Sequence, residues 1–411
     1  MVDAATALQN GVAGFSVVMW IVMTQFCLWG AILVRIRYSH PPTPTSSQKS
    51  STPSVTILRP MKGVDNLLEE NLASAFKQEY PKFEVIMTVA DPKDKAVEVA
   101  RMVMKAHPNV DARIVTGNPD EAEIGPNPKV CNLLPGYHAA KYNIIWIVDS
   151  NVLVAPDCMG RSVDALHLPN IGLVHHAPVA TRPQSFGSRV EMMFLNTAHC
   201  KMYLSINYAS ISSCINGKSN MFRKTDLERA AAGGLAHFAR YLSEDNIMGE
   251  KIWQLGLRHA TTADFAMQPL GALSLVEYFR RRSRWIRIRK YVVTVATLIE
   301  PFTESIVCGL LGVWGWSYFL GWTRSQCIMF LVMHFIGWIA SDTVIAFTID
   351  DSLAKSADVY FLAWIVREVM ALPIWCIAMA GYIVEWRGKP FRLNPDGTAT
   401  AIVTHWHEKK Q

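Results

Sequence analysis

The stretch IIWIVDSN, residues 144–151, decides the fold. Ile144 to Val148 are all β-branched or aromatic, which suits a strand buried on both faces, and burial on both faces belongs to parallel sheets covered by helices. Asp149 ends the run where the chain must turn. Three further apolar runs have the same character: VTIL (55–58), VIMTVA (85–90) and IGLVH (171–175). Between them LLEENLASAFKQ (67–78) and VEVARMVMKAH (97–107) carry helical spacing. The expectation is an α/β domain with a mainly parallel, Rossmann-like sheet. In such sheets ligands bind beyond the carboxyl ends of the strands, which directs attention to Asp91, directly after VIMTVA, and to Asp149.

Outside this region the chain is apolar. Half of the 411 residues are hydrophobic and only 18% are charged, a balance that leans toward membrane attachment. Phe15 to Val34 carries no charge and is long enough to cross a bilayer of roughly 30 Å. Arg35 and Arg37 follow it, so it reads as an uncleaved anchor with the short N-terminus in the lumen and the sheet domain in the cytosol. Three more candidate spans are Ser305 to Trp322, Cys327 to Phe347 and Val359 to Val384. Asp342, Arg367 and Glu368 within them must face other helices or a polar cavity. Three crossings would put the C-terminus in the lumen, whereas the basic tail (Arg387, Lys389, Arg392, Lys409, Lys410) argues for the opposite side. The expected divisions are an anchor (1–37), a flexible Pro/Ser/Thr linker (38–54), the sheet domain (55–272), an interfacial segment (273–300), C-terminal transmembrane helices (301–386) and a tail (387–411). The eight cysteines are scattered without a CxxC pair and read as reduced thiols.

Taken singly, the candidate residues each have a plain reading. Asp91 and Asp149 can be turn residues. Two acids on one sheet edge suggest more: one to read a base or ribose hydroxyl, the other to hold a metal against a diphosphate. Asn127, Lys129 and Asn132 in NPKVCNL share a helical face that can grip a nucleotide, or simply begin a helix after Pro128. In SED (243–245), Ser243 or Asp245 can cap a helix, or Asp245 can act as a general base. Seven basic residues fall between Arg280 and Lys290. They suit an interfacial helix on anionic lipid, with Trp285 at the boundary, and equally a diphosphate site in which Arg281 and Arg284 make bidentate contacts.

In order along the chain, Asp91, Asp149, Asp245 and RRSRW (281–285) resemble the D, D, D, (Q/R)xxRW pattern of inverting glycosyltransferases with the GT-A fold. The phrases LRPMKGVDNLLEENL, NPKVCNLLPGYHAAKYNIIWIVDSN and RRSRWIRIR, with the order of membrane parts, are similar to the ceramide glucosyltransferase family. The resemblance implies transfer of glucose from UDP-glucose to the primary hydroxyl of ceramide, with inversion, at a Golgi or ER membrane with the catalytic domain facing the cytosol. It implies donor contacts from Asp91, Lys129, Asn132, Asp149, Arg281 and Arg284, with Asp245 as base. Trp285 and His199 would lie at the acceptor, and Cys214 at a position linked to reagent sensitivity. A divalent metal, Mg²⁺ or Mn²⁺, would sit on Asp149. Asn151 in place of a second acid leaves that site one carboxylate. The expected partners are UDP-glucose, ceramide and the bilayer, not nucleic acid. The rival readings are a processive polysaccharide synthase, which needs more membrane spans, and a non-catalytic lipid-binding scaffold.

Overall fold

The computed structural model describes residues 4–48, 51–117, 124–386 and 388–402. Of the basic tail residues, Arg387, Lys409 and Lys410 lie outside them. Seven strands form one sheet: β1 Val55–Met61, β2 Phe83–Val89, β3 Asp111–Thr116, β4 Ile144–Val148, β5 Ile171–Pro183, β6 Ser219–Arg223 and β7 Arg258–Gly271. Their order is β3-β2-β1-β4-β6-β5-β7. All four apolar runs are strands. The sheet is parallel except for β6, which pairs antiparallel with both β4 and β5.

Helices α1 (Ala4–Leu33), α2 (Leu68–Phe76), α3 (Ala96–Ala106), α4 (Pro128–Ala139), α5 (Cys158–Leu166), α6 (Phe186–Met193), α7 (Cys200–Ala209), α8 (Lys224–Ala230) and α9 (Glu244–Gln254) precede α10 (Leu275–Arg289). One face of the sheet packs on α2, α3 and α5, with Trp146, Ile57, Met87 and Val163 fully buried. The other packs on α4, α8 and α9 through Ile145, Leu58, Leu133 and Phe222. Covering both faces explains the unbroken apolar runs of the central strands. Gly136 lies where α4 crosses β2; a Cβ there would come within 2.4 Å of Thr88 Cγ2.

The linker is not free. Thr45 and Ser46 donate backbone and side-chain hydrogen bonds to Asp164 of α5, at 2.7 and 2.9 Å for the two amides. Residues 49 and 50 lie outside the description. The polar composition of this stretch signals hydrogen-bonding capacity, and here it is spent on a helix.

The three expected C-terminal apolar helices are present, and the departure from expectation lies in the chain beyond them. The helices α11 (Thr294–Ile299), α12 (Ser305–Leu320), α13 (Arg324–Ile349) and α14 (Ala357–Ala380) follow α10. By length and apolarity Ala4–Tyr38, α13 and α14 qualify as membrane spans, and α12 joins them only together with the short segment Thr294–Thr303, bent from it by 77°. Both ends of α14 sit against the catalytic domain. Its start follows Ile349, which packs with Val34, Tyr38 and Ala177. At its end the carbonyls of Ile377, Met379 and Gly381 accept from Arg287 of α10 and from Lys290, which caps that helix. Residues 383–386 and 388–401, expected as the end of a span and a tail, contain an antiparallel sheet of β8 (Ile383–Trp386), β9 (Lys389–Leu393) and β10 (Ala399–Ala401). A bridge from Thr398 to Tyr241 fastens that sheet to the catalytic domain. The described C-terminal residues therefore lie on the domain's side, as Lys389 and Arg392 suggest and as three full crossings would forbid.

The apolar helices hold one charged network. Lys201 Nζ of α7 lies 2.8 Å from Asp342 Oδ1 of α13, and both side chains are fully buried. Asp342 Oδ2 also accepts from Trp364 Nε1 at 2.8 Å. Arg367 pairs with Glu304 and Glu368, and Glu368 accepts from the amide and hydroxyl of Ser305 at 3.0 and 2.7 Å. Asp342, Arg367 and Glu368 thus face neighbouring helices. Replacing Lys201 by Met leaves Asp342 without its main counter-ion and should cost about 3–5 kcal/mol. Thermal unfolding in detergent should show a large drop for Lys201→Met and a smaller one for the double variant with Asp342→Asn; equal or additive losses would contradict the coupling.

Candidate active site

β1 lies between β2 and β4, so the loops after β2 and β4 flank the end of β1, the position at which a doubly wound sheet leaves a crevice. Asp91 and Asp149 open into that crevice. With them Lys129, Asn132, His199, Asp245, Arg281, Arg284 and Trp285 line one cleft of about 610 Å³. Nine of the residues singled out in the sequence meet there; Asn127 is not among them.

Asp149 is held on both sides. Its Oδ1 lies 2.9 Å from Lys129 Nζ and its Oδ2 2.9 Å from Lys218 Nζ. Burial would raise its pKa, but the two ammonium groups hold it well below the usual carboxylate range. Lys129 also reaches Glu244 at 3.1 Å and donates to the carbonyl of Gly217 at 2.8 Å. Burial opposes its charge, yet Asp149, Glu244 and Asp245 together raise its pKa. For Lys218 burial wins and the pKa falls, helped by Arg281.

Asp245 stands in the first turn of α9. Burial, then the neighbouring carboxylate of Glu244, push its pKa up to about 6 against the pull of Lys129. Ser243 precedes the helix without making a side-chain cap. Gly217 is where the chain passes between these groups: a Cβ there would lie 3.0 Å from Lys129 Nζ and 3.1 Å from Asp245 Oδ2.

Several side chains are committed differently from expectation. Asn127 caps α4, accepting from the amides of Lys129 and Val130, and its amide donates to Tyr241 O and Glu244 Oε2, so it does not face the cleft. Asn132 spends its amide on Met61 O at 3.0 Å and keeps only Oδ1 without a partner. Asp91 is exposed and accepts from the Lys93 amide at 2.8 Å. Arg281 is anchored on buried Glu191, Nε to Oε1 2.9 Å, and on Gln268 Oε1 at 3.2 Å, and lies over Trp285. His199 stacks on Tyr203 and lies 6.2 Å from the Trp285 ring. Burial, then Arg282 and Arg289, push its pKa down to about 3, so it is neutral and its Nδ1 lacks a partner.

Lys218 and Glu244 escaped the sequence reading. Glu244 sits beside Asp245 in SED and reads as a helix-start acid. Lys218 reaches Asp149 because β6 runs antiparallel to β4, which makes the Asp149 amide donate to Lys218 O at 3.0 Å; that pairing has no local sequence signal.

Two places invite a metal. Cys158, His176 and Asp264 come together in the core. Their donors are already engaged: Asp264 by Arg161 at 2.8 Å, and His176 by Ser162 and Ser219 at 3.0 and 2.7 Å. This cluster is away from the cleft and reads as a satisfied polar core. In the cleft, Asp149 Oδ2 and Asn151 Oδ1 converge on Lys218 Nζ at 2.9 and 3.1 Å, so the spot already holds a cationic group. Both oxygens are of the kind that a divalent cation takes as ligands.

Residues 16–399 match the family described as glycosyl transferase family 21, and the chain belongs to that family. It is 38% identical to a ceramide glucosyltransferase of Komagataella phaffii over 85% of this chain and 84% of that one. It is 31% identical to a ceramide glucosyltransferase of Candida albicans over 88% and 90%. It is 28% identical to ceramide glucosyltransferase 1 of Caenorhabditis elegans over 89% and 76%. Among solved structures it is similar to a mannosyltransferase from Pyrobaculum calidifontis in complex with GDP-Man and Mn²⁺, at 16% identity, a TM-score of 0.49 and coverage of 90% and 98%. Glucosyl-3-phosphoglycerate synthase of Mycobacterium tuberculosis with Mn²⁺ and UDP aligns at 16% identity and a TM-score of 0.35, over 63% of this chain and 85% of that one. The chain is a glycosyltransferase whose catalytic domain is built on a mainly parallel seven-stranded sheet.

Removing the Lys218 ammonium should expose the pair of oxygens. Lys218→Met is expected to bind Mn²⁺ without nucleotide at least about tenfold more tightly than the unaltered protein, since a like charge is removed from the site. Paramagnetic resonance of free Mn²⁺ measures this; unchanged affinity would show that Lys218 does not compete for the spot.

Proposed function

We propose that this chain transfers glucose from UDP-glucose to the primary hydroxyl of ceramide, with inversion, making β-glucosylceramide. What carries the reading is the continuity of one cleft. Asp149, Lys129 and Lys218 stand at its charged end, and Phe194, Ala198, Met202 and Ile206 at the apolar end beside the membrane helices.

Asp91 lies at the crevice edge suited to the uridine, with Asn132 Oδ1 free to accept. Lys218, Lys129, Arg281 and Arg284 supply positive charge to the diphosphate as its bond to the sugar breaks. A divalent ion, held by Asp149 with Asn151 Oδ1, would neutralise part of that charge when bound. Asp245 removes the proton of the attacking hydroxyl while that oxygen bonds the anomeric carbon from the face opposite the departing UDP. Its environment suits this role, because a pKa of about 6 leaves it ionised at neutral pH yet more basic than an ordinary aspartate. Trp285 and neutral His199 form the wall against which the acceptor packs, a contact that needs no charge on the imidazole. Arg35 and Arg37 after α1 support a cytosolic catalytic domain, and membrane helices at both ends of the chain suit a lipid acceptor, at a Golgi or ER membrane.

The assay is direct. Purified protein with UDP-glucose and short-chain ceramide should give glucosylceramide by mass spectrometry; transfer to a sterol or diacylglycerol instead would overturn the acceptor. Asp245→Asn should lower kcat on the order of 10²–10⁴-fold with the KM for UDP-glucose little changed. Because the base must be deprotonated, kcat/KM should rise with pH through a midpoint near 6, set by the folded-state pKa of Asp245. Glu244→Gln removes a neighbouring negative charge and should move that midpoint to lower pH; no acid limb in the profile, or none that responds to Glu244→Gln, would exclude Asp245 as the base.

A further inference from the structure

Beyond His199 the cleft carries a second polar cluster that the donor chemistry does not use. Glu300, in the turn Glu300–Thr303 between α11 and α12, lines the cleft together with Thr303 and Arg289. Its Oε1 lies 3.3 Å from Arg282 Nη2 and its Oε2 2.6 Å from Arg289 Nη2. Two guanidinium groups from α10 thus fix the carboxylate in place, and 17% of its side chain stays open. Each carboxylate oxygen offers two acceptor positions, so each, having taken one arginine, can accept from another donor. Thr303 does not fill that capacity, because its hydroxyl donates to the Glu300 backbone carbonyl at 2.7 Å.

The surroundings put Glu300 on the acceptor side. Arg282 stacks on Phe194 at 3.2 Å and lies over Trp285, and both rings line the apolar stretch beside His199. The same two arginines are the charges that His199 senses. Holding an ionised carboxylate against an apolar cleft carries a desolvation cost, which a purely structural contact could avoid with apolar residues of similar volume.

We propose that Glu300 recognises the second hydrogen-bond donor of the lipid acceptor, its amide N–H or secondary hydroxyl, and so selects a sphingoid amide over a diacylglycerol. This deepens the acceptor reading above and rests on it. A ceramide headgroup offers an amide N–H and a secondary hydroxyl besides the reacting primary hydroxyl. A diacylglycerol offers one hydroxyl and two ester groups that only accept. Against a carboxylate, which also only accepts, those esters place lone pair against lone pair. Sites that bind a hydroxyl or N–H through a buried partner strongly reject analogues lacking it.

The test uses the full chain in detergent or nanodiscs with UDP-glucose. Four acceptors of equal chain length are compared: ceramide, its N-methyl amide, its 3-deoxy analogue and diacylglycerol. With the unaltered protein, kcat/KM should fall at least about tenfold for one of the two single-donor deletions, and more for diacylglycerol. In Glu300→Gln, use of ceramide should fall and its ratio to that analogue should shrink toward one, while UDP affinity by calorimetry stays unchanged. A ratio in Glu300→Gln as large as in the unaltered protein overturns the proposal. If the variant fails to fold and loses UDP binding, the unaltered protein decides alone: equal use of ceramide and both analogues overturns it. Failure of the broader reading gives a different pattern, in which a sterol is glucosylated and none of the four lipids is.

Discussion

The structure depends on one fully buried charge pair. Lys201 belongs to the helix that forms a wall of the cleft, and Asp342 to a helix of the apolar bundle. Neither charge is affordable alone in that setting, so the two elements have a single relative position in which both are satisfied. Gly30 lets α1 pack closely on the helix that carries Lys201, since a Cβ there would fall 2.5 Å from Lys201 Cβ. Through Trp364, Arg367 and Glu368 the same constraint fixes α14, and through Glu304 and Ser305 the start of α12. The floor of the cleft is thereby set by the bundle and its roof by the sheet.

That arrangement accounts for the order of chemistry along the cleft. Strand ends supply Asp91 and Asp149, because a parallel sheet exposes its turns at one edge, and the first turn of α9 supplies Glu244 and Asp245. The basic helix α10 supplies arginines to two different tasks: Arg281 faces the charged end, whereas Arg282 and Arg289 hold Glu300 at the other. Trp285 sits between them, touched by Arg281 and Arg282. One helix therefore reaches both ends of the cleft.

Much of this was legible in the sequence, and the failures are instructive. Apolar strands followed by acids located the sheet edge, since burial on both faces leaves an unambiguous composition. Asp245 stood out only beside the D, D, D, (Q/R)xxRW pattern, because an acid in a first helical turn is ordinary. Lys218 was hidden, as its partner depends on strand order. The C-terminal topology stayed open in the sequence: α14 packs one side on α6 and α10 while Leu362, Ile365 and Val369 remain exposed, and the contacts that bring the following strands back to the catalytic domain have no local signal. The linker misled, its Ser and Thr being consumed by Asp164.

The lysine clasp on Asp149 has a wider consequence. At rest the negative charge of this site is already matched, so a donor enters by exchange: its phosphate oxygens must offer the lysines a better partner than the carboxylate they leave. Binding strength is then a difference between two sets of ion pairs rather than the sum of new ones. A monoanion gains too little from such an exchange, whereas a diphosphate that engages both lysines at once gains twice. With one lysine on each carboxylate oxygen, only a ligand with two anionic groups can replace both contacts together.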